Sequence, residues 1–377
     1  MKVLHILNEL KYSGAETMLA AGAATFANAG IESHILATGS SVGEYAPILE
    51  RAGYAVAHVP LTRNVRFFIR LASYVRRNKF DVVHVHAEGG SFWYALTSSI
   101  CGVHTIVRTI HSTFAFTGFL RLRRSVQRFV MRSILGVIFI AVSEGVKDVE
   151  ETVFGNRCIL IRNWVDRGRF FPAKNGREKN LARAAMNLPA NAVVLVSVGS
   201  CQDGKNHRAI LEALACVGKT KQNIMYLHVG TGPLEKNERR LARDMHLESK
   251  ARFAGKLNDV RQALIASDIF LMPSRYEGLP VSLLESLATA VPIVAYNSVG
   301  VRSVIQDGYN GLLCDPTSEQ LANAVLRLEK DRSLKDAIID NGLKTVRALY
   351  SMDESLASLL QLYGVRQQRS RNDATHR

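Results

Sequence analysis

Short β-branched runs alternate along this chain with segments of helical periodicity, and no other feature limits the possible folds so sharply. The runs fall at residues 2–7, 33–38, 81–86, 105–110, 137–143, 192–199, 225–230, 269–273 and 292–297. Strands separated by helices of about 10 to 20 residues build parallel βαβ units with right-handed crossovers. The expected class is therefore α/β with doubly wound parallel sheets, and 377 residues suffice for two domains of ~150 residues each. Residues 163–188 are polar, carry Gly168, Pro172 and Gly176, and contain no clear strand. The expected layout is an amino-terminal domain over 1–165, a linker over 166–190, and a carboxyl-terminal domain over 191–350. A helix over 351–366 that can cross back to the first domain and a disordered polar tail over 367–377 complete it. Two such domains placed face to face turn the carboxyl ends of both sheets into one cleft, which is where open α/β sheets bind ligands.

Composition narrows the class further. The 47% apolar content and 36 Gly plus Pro (27 + 9) exclude disordered, collagenous and low-complexity architectures for the bulk of the chain. The longest apolar run, 134–142, has nine residues, against the roughly 20 a spanning helix needs. The amino-terminal apolar stretch is too short for a signal peptide and is interrupted by Glu9, so it reads as a first buried strand. Five scattered cysteines with no C-x-x-C pair suggest neither a disulfide framework nor a zinc site, and place the chain in a reducing cytoplasm.

The turns after strands carry the candidate chemistry. Ser13-Gly14-Ala15-Glu16 opens an Ala-rich helix; Ser13 and Glu16 have capping-box spacing, and the same start could offer backbone N–H groups to an anion. His84 and His86 share one face of a strand, a geometry that could hold a metal, although no Asp or Cys nearby completes a ligand set. His111 follows the next strand and opens toward the cleft, alone consistent with a hydrogen-bonded structural histidine. Lys205, at a strand-to-helix turn, can bond phosphate oxygens as a point charge; a solvated loop lysine is the plainer alternative. Gly230-Thr231-Gly232-Pro233 lacks the third glycine of a dinucleotide fingerprint, so no nicotinamide cofactor is inferred. In Glu277-Gly278-Leu279-Pro280 and on to Glu285, Pro280 suits a first helical turn and Gly278 allows close backbone approach. The two carboxylates there can accept hydrogen bonds from sugar hydroxyls, or Ser274–Glu277 and Ser282–Glu285 can be capping boxes.

At these residues the sequence resembles the retaining family 4 glycosyltransferases of the GT-B fold. The matching stretches run in order: Ser13 to Glu16, the strand ending at His86, Thr109-Ile110-His111, Ala141-Val142-Ser143, residues 161–166, Lys205-Asn206-His207, residues 230–233, and Glu277 to Glu285 with E-x7-E spacing. The resemblance covers about residues 1–350 and implies two Rossmann-like domains facing across a cleft. It also implies transfer of a hexose-type sugar from a UDP- or GDP-linked donor to a glycan hydroxyl, with retention and without a metal or other cofactor. Carried over, Glu285 would hold the ribose hydroxyls, and Glu277 with the Gly278-Leu279 backbone the sugar ring. Lys205 would neutralise the diphosphate with amides near Gly14, and His111 would stand by the transferred sugar. Ser200 and Gly230 complete the expected donor site. Departures are Ser200 where many relatives carry Arg, residues 299–303 in place of G-G-x-x-E, Trp164 for a small glycine, and Ser112 for a common Asp.

With 48 Lys plus Arg against 33 Asp plus Glu the chain carries a net +15 (48 − 33). Arg63, Arg66, Arg70 and Arg77 form one helical stripe, with Phe67, Phe68, Leu71, Tyr74 and Val75 interleaved. Arg121, Arg124, Arg128 and Arg132 form another, opposed by Phe119, Leu122, Val126 and Phe129. Basic amphipathic helices without acids in their stripe bind anionic membrane surfaces. Peripheral attachment to the cytoplasmic membrane face is therefore expected, which by analogy points to a lipid-linked glycan acceptor and cell-surface polysaccharide or lipopolysaccharide assembly. Two competing classes are a non-catalytic nucleic-acid-binding protein, suggested by a pI near 9.8 but unsupported by any recognised motif, and a nucleotide-sugar epimerase of the same fold. Nucleic acid is not an expected partner.

Overall fold

The computed structural model describes residues 1–62, 64–113 and 116–364. Two all-parallel sheets organise them. The first holds β1 (Lys2–Leu7), β2 (Glu32–Ala37), β3 (Ala55–His58), β4 (Val82–Val85), β5 (Thr105–Ile110), β6 (Ile138–Ala141) and β7 (Ile159–Leu160) in the order β3-β2-β1-β4-β5-β6-β7. The second holds β8 (Val193–Val198), β9 (Ile224–Val229), β10 (Ala251–Gly255), β11 (Ile269–Met272), β12 (Ile293–Tyr296) and β13 (Leu312–Cys314) in the order β10-β9-β8-β11-β12-β13. Each sheet reverses its strand order beside its first strand, between β1 and β4 and between β8 and β11. Such a switch point leaves a crevice at the carboxyl ends of the strands. The central strands are buried on both faces, with Val3, Leu4, Ile6, Val194, Leu195 and Val196 all 0% exposed, as near-continuous apolar runs in a parallel sheet require.

Helices cover both faces. The first half carries α1 (Gly14–Asn28), α2 (Ala46–Arg51), α3 (Val65–Asn78), α4 (Ser91–Ile100), α5 (Gly118–Ser133) and α6 (Glu144–Phe154). The second carries α7 (Gly176–Ala185), α8 (His207–Val217), α9 (Glu235–Asp244), α10 (Val260–Ile265), α11 (Val281–Ala288), α12 (Val299–Arg302), α13 (Ser318–Lys330) and α14 (Arg332–Leu349), and α15 (Met352–Tyr363) returns to the first. Among the described residues no helix is long and apolar enough to cross a membrane.

The stretch read as a linker is anchored to the second sheet's layer. It contains α7, whose Lys179 and Arg183 both bind the Asp268 carboxylate (2.7 and 2.6 Å), while Arg261 binds Glu178 and the carbonyls of Phe171 and Pro172. The chain passes between the halves twice, side by side: Val165 and Ser351 form a parallel bridge. After the second passage α15 packs on α1, where Leu356 lies over Gly22, and Tyr363 Oη sits 2.5 Å from His84 Nδ1. The tail over 367–377 lies outside the described residues, as does Arg63.

Three of the four arginines in the α5 stripe, Arg124, Arg128 and Arg132, turn toward the body of the domain and only Arg121 stays exposed, against the expectation that the whole stripe faces a membrane surface. Arg128 is 1% exposed, donates twice to Glu150 (2.7 and 2.8 Å) and lies 3.5 Å from Glu88, which Arg108 also binds. Burial alone would raise the Glu88 carboxyl, but Arg108, Arg128 and Arg124 hold it below its ordinary value. Arg132 and Arg121 reach the carbonyls of Gly155 and Val153. The apolar stripe is consequently outside: Phe119 is 79% exposed, Leu122 61%, Val126 53% and Phe129 58%. Charge prefers water only until a buried counter-charge is supplied, and here Glu88 and Glu150 come from outside the helix. On α3 the expected sense holds, with Phe67, Leu71 and Val75 buried and Arg66, Arg70 and Arg77 exposed.

Candidate active site

The carboxyl ends of the two sheets enclose a cleft of about 540 Å³. Two helices start at its wall from opposite halves, α1 and α11, and they meet closely: a Cβ on Gly14 would lie 2.9 Å from Val281 Cγ2. Ser13, the residue before α1, is extended and makes no side-chain bond to the first-turn amides; its hydroxyl is bonded to the Glu16 carboxylate instead. The capping box expected there is thus not formed, and the first N–H groups of α1 keep their capacity for an anion. Neither capping box considered around α11 forms either, since Pro280 is its N-cap.

Glu285 is the fifth residue of α11 and lines the cleft, 5% exposed. Burial pushes its carboxyl up to about 7, against a smaller opposing pull from Arg169. A half-protonated carboxyl facing a cleft suits a group that exchanges hydrogen bonds with ligand hydroxyls. Lys205 projects from the turn after β8, where its Nζ lies 2.6 Å from Glu277 Oε1. Ser200 lines the same wall. Gly230 lies in an adjoining recess of about 240 Å³ that shares Ser200, Gly199 and Tyr12 with the cleft. Its φ of +142° and its contact with the Gly199 carbonyl, which a Cβ would approach to 1.9 Å, admit only glycine.

Leu279 lines the cleft, whereas Gly278 is turned to the opposite half: a Cβ there would lie 1.9 Å from the His111 carbonyl oxygen. Three successive carbonyls of this turn are gripped by the first domain. Thr113 Oγ1 donates to Glu277 O (3.3 Å), Ser143 Oγ to Gly278 O (3.0 Å) and Asn163 Nδ2 to Leu279 O (2.9 Å). The turn that carries Glu277 is therefore positioned by both halves of the molecule.

His111 lines the cleft from the end of β5 and is the first of a row of histidines. Its Nε2 lies 3.0 Å from His86 Nδ1, and His86 Nε2 lies 3.1 Å from His5 Nδ1. Burial drives all three down, His111 to about 4 and His5 to about 3, so each ring is neutral near pH 7. His5 Nε2 and Trp164 Nε1 have no partner among the described residues and border the same void of about 30 Å³. Indole nitrogen only donates, so a His5 whose Nε2 is the unprotonated nitrogen leaves one N–H rather than two in that void. With one proton per neutral ring the row runs in a single direction, and a proton on His5 Nδ1 sets it as His5 to His86 to His111, with His111 then protonated on Nδ1. His84 stacks on His86 at 4.1 Å and bonds Thr109 (2.7 Å) and Tyr363, and His5, His84 and His86 bring one ring nitrogen each within 4.8 Å of one another.

Of the residues singled out in the sequence, Gly14, His111, Ser200, Lys205, Glu277, Leu279 and Glu285 meet on one cleft. Arg169 and Arg51 were missed, with Tyr12, Tyr45 and Asn258. Arg169 lies three residues after the matching Asn163-Trp164-Val165-Asp166 stretch and could have been found there; Arg51 ends an unremarkable helix and gave no signal.

Two family profiles match this arrangement end to end: "Glycosyltransferase Family 4" over residues 12–169 and "Glycosyl transferases group 1" over 178–345. The UDP-Gal:alpha-D-GlcNAc-diphosphoundecaprenol alpha-1,3-galactosyltransferase of Escherichia coli is 25% identical over 287 residues, 74% of this chain and 73% of that one. The lipopolysaccharide core biosynthesis glycosyltransferase LpsE of Rhizobium meliloti is 32% identical over 188 residues, 50% of this chain and 54% of its own. The crystal structure of Anabaena HepE with UDP-glucose superposes with a TM-score of 0.84 at 18% identity, covering 97% of this chain and 99% of that one. With both halves matched in order and the interdomain cleft between them, this chain is a glycosyltransferase of family 4 with the GT-B fold.

Proposed function

We propose that the protein moves a hexose from a UDP- or GDP-linked donor to a hydroxyl of a lipid-linked glycan, with retention and without a metal in the transfer step. The observation that carries this reading is the convergence of Lys205, buried Glu285 and neutral His111 beside the open amino terminus of α1. In the transfer, the bond from the anomeric carbon to the diphosphate oxygen breaks and the bond to the acceptor oxygen forms. The acceptor's proton passes to the leaving phosphate. Charge grows on the diphosphate, where Lys205 and the α1 amides stabilise it, with ~3 to 4 kcal/mol for one such donor. Arg169, on the same cleft, replaces the cation that relatives place at Ser200. Glu285 receives the ribose hydroxyls and Glu277 the sugar ring. His111, protonated on Nδ1, donates to a sugar oxygen and is not a base.

The relatives' names support a polysaccharide or lipopolysaccharide setting, since the E. coli protein's name specifies a diphosphoundecaprenol acceptor. Membrane attachment is supported by the outward apolar face of α5. In a parallel sheet each helix starts at the carboxyl end of the strand before it, so Phe119 and Leu122 on α5, Trp93 on α4 and Val65 on α3, all exposed, rim the cleft side. Exposed Arg121, Arg123, Arg66 and Arg70 flank them, a pattern matched to an anionic bilayer. The protein so placed works peripherally at the cytoplasmic face.

Thermal shift and calorimetry against UDP, GDP, ADP and their sugars, with EDTA present, test the donor site. One nucleotide is expected to stabilise the protein saturably, and Glu285→Ala and Lys205→Ala to weaken that effect. Turnover of the Lys205 variant is expected to fall by roughly 10²- to 10³-fold. Absence of stabilisation by every nucleotide would overturn the reading.

A further inference from the structure

Behind the donor wall, away from the cleft, four metal-ligating side chains from four successive segments converge: Cys201 after β8, His207 at the start of α8, His228 on β9 and Glu238 on α9. Their donor atoms all lie within 4.8 Å of one another. None is exposed by more than 6%. Cys201 Sγ is 3.2 Å from His228 Nε2, and His207 Nδ1 is 3.1 Å from Glu238 Oε1. Glu238 Oε2 is buried with no partner among the described residues, a costly state for a carboxylate oxygen.

We propose that these four residues form a structural zinc site. The donor set fits in kind: one soft thiolate, two imidazoles and a carboxylate are ligands zinc takes in a closed tetrahedron. It also fits in charge, because thiolate and carboxylate together cancel the divalent ion and leave a neutral buried centre. The second shell is in place as well. Ser197 Oγ lies 3.0 Å and Tyr226 Oη 3.2 Å from His228 Nδ1, so that ring is held with Nε2 toward the site, as metal-binding histidines require. Without an ion, burial raises the Cys201 thiol, with the Glu238 carboxylate adding to it. Binding releases that thiol proton to solvent and gives the free Glu238 oxygen its partner. All four positions are filled by protein, so the ion is structural and takes no part in transfer.

The consequence reaches the cleft through the backbone. Cys201 adjoins Ser200; its N–H donates to the Thr231 carbonyl (3.2 Å) and its carbonyl accepts from Leu234 N (3.0 Å). An ion at Cys201 therefore fastens the Ser200 turn to the Gly230–Gly232 turn and stiffens the wall that faces the donor.

The test is metal content of the full-length protein expressed with zinc, released by denaturation and titrated with a chromophoric chelator, together with cobalt substitution of the metal-stripped protein. One zinc per chain and a thiolate-to-cobalt charge-transfer band with tetrahedral visible bands are expected. Cys201→Ser and Glu238→Gln should remove the band or weaken metal binding by at least about tenfold, while Cys216→Ser, at an exposed thiol, should leave both. A folded wild-type protein that holds no stoichiometric zinc and shows no cobalt band would overturn the site, whatever the variants do. Nucleotide binding is a separate readout, so loss of this site and loss of the donor reading are distinguishable.

Discussion

A carboxyl that ionises near pH 7 inside the ligand-free cleft makes Glu285 a burden on the fold that only a ligand relieves. In the unfolded chain it ionises near 4.5, in the folded chain near 7. The folded state then binds more protons across that window, and stability falls as pH rises from about 4.5 to about 7, by on the order of 3 kcal/mol. Glu285→Gln should remove this slope and stabilise the ligand-free protein at pH 8, while weakening nucleotide binding; equal melting of both forms at pH 8 would contradict it. The row His5, His86, His111 has the opposite character. Its rings are already neutral, so nitrogen-15 spectra of labelled histidines should show His111 uncharged and protonated on Nδ1 from pH 6 to 8. A proton on Nε2 would break the inferred direction of the row. Glu285 was visible in the sequence because the spacing to Glu277 marks it, but the histidine row was not. Its members lie on β1, β4 and β5, and only the pairing of β1 with β4 and β4 with β5 brings them together.

At the scale of elements, what could be seen in the sequence divides by position in the sheet. All nine interior strands stand where β-branched runs marked them, within a residue or two. The four strands that gave no signal, β3, β7, β10 and β13, are the four sheet edges. An edge strand is short and half-exposed, so it lacks the continuous apolar run that betrays a strand buried on both faces. Helix α5 shows a second limit: amphipathic spacing identifies two faces without saying which is inside. Removing the buried cation in Arg128→Met takes the ion-pair partner from Glu150 and leaves Glu88 to Arg108 and Arg124, and should lower stability by about 3 to 5 kcal/mol in chemical denaturation. Phe119→Ser with Phe129→Ser touches only exposed rings and should leave the denaturation midpoint nearly unchanged. In flotation with anionic liposomes at low salt the double variant should stay with the soluble fraction while the parent floats; equal flotation of the two would remove α5 from the membrane contact.

For the whole molecule, the described chain crosses between the halves at Val165 and Ser351, and the halves otherwise meet without covalent bonds, through the Glu277–Leu279 turn, Gly14 against Val281, Gly145 with Ser303, and side-chain pairs such as Tyr12 with Asn258 and Glu44 with Lys256. Opening the cleft therefore needs rotation at one paired crossing and release of noncovalent contacts alone, which suits a site that must admit donor and acceptor and then exclude water. Ending the chain at Ser351 should uncover the Leu356 seat on α1 and the His84 partner, and lower the melting transition by several degrees; an unchanged transition would show α15 to be dispensable. The same helix also sets an order of events during synthesis. The first half emerges from the ribosome first, yet the helix that seals its α1 face follows the entire second half. An early-made domain whose seal is encoded beyond another whole domain must wait for it, with apolar surface on α1 open until the second half has been made.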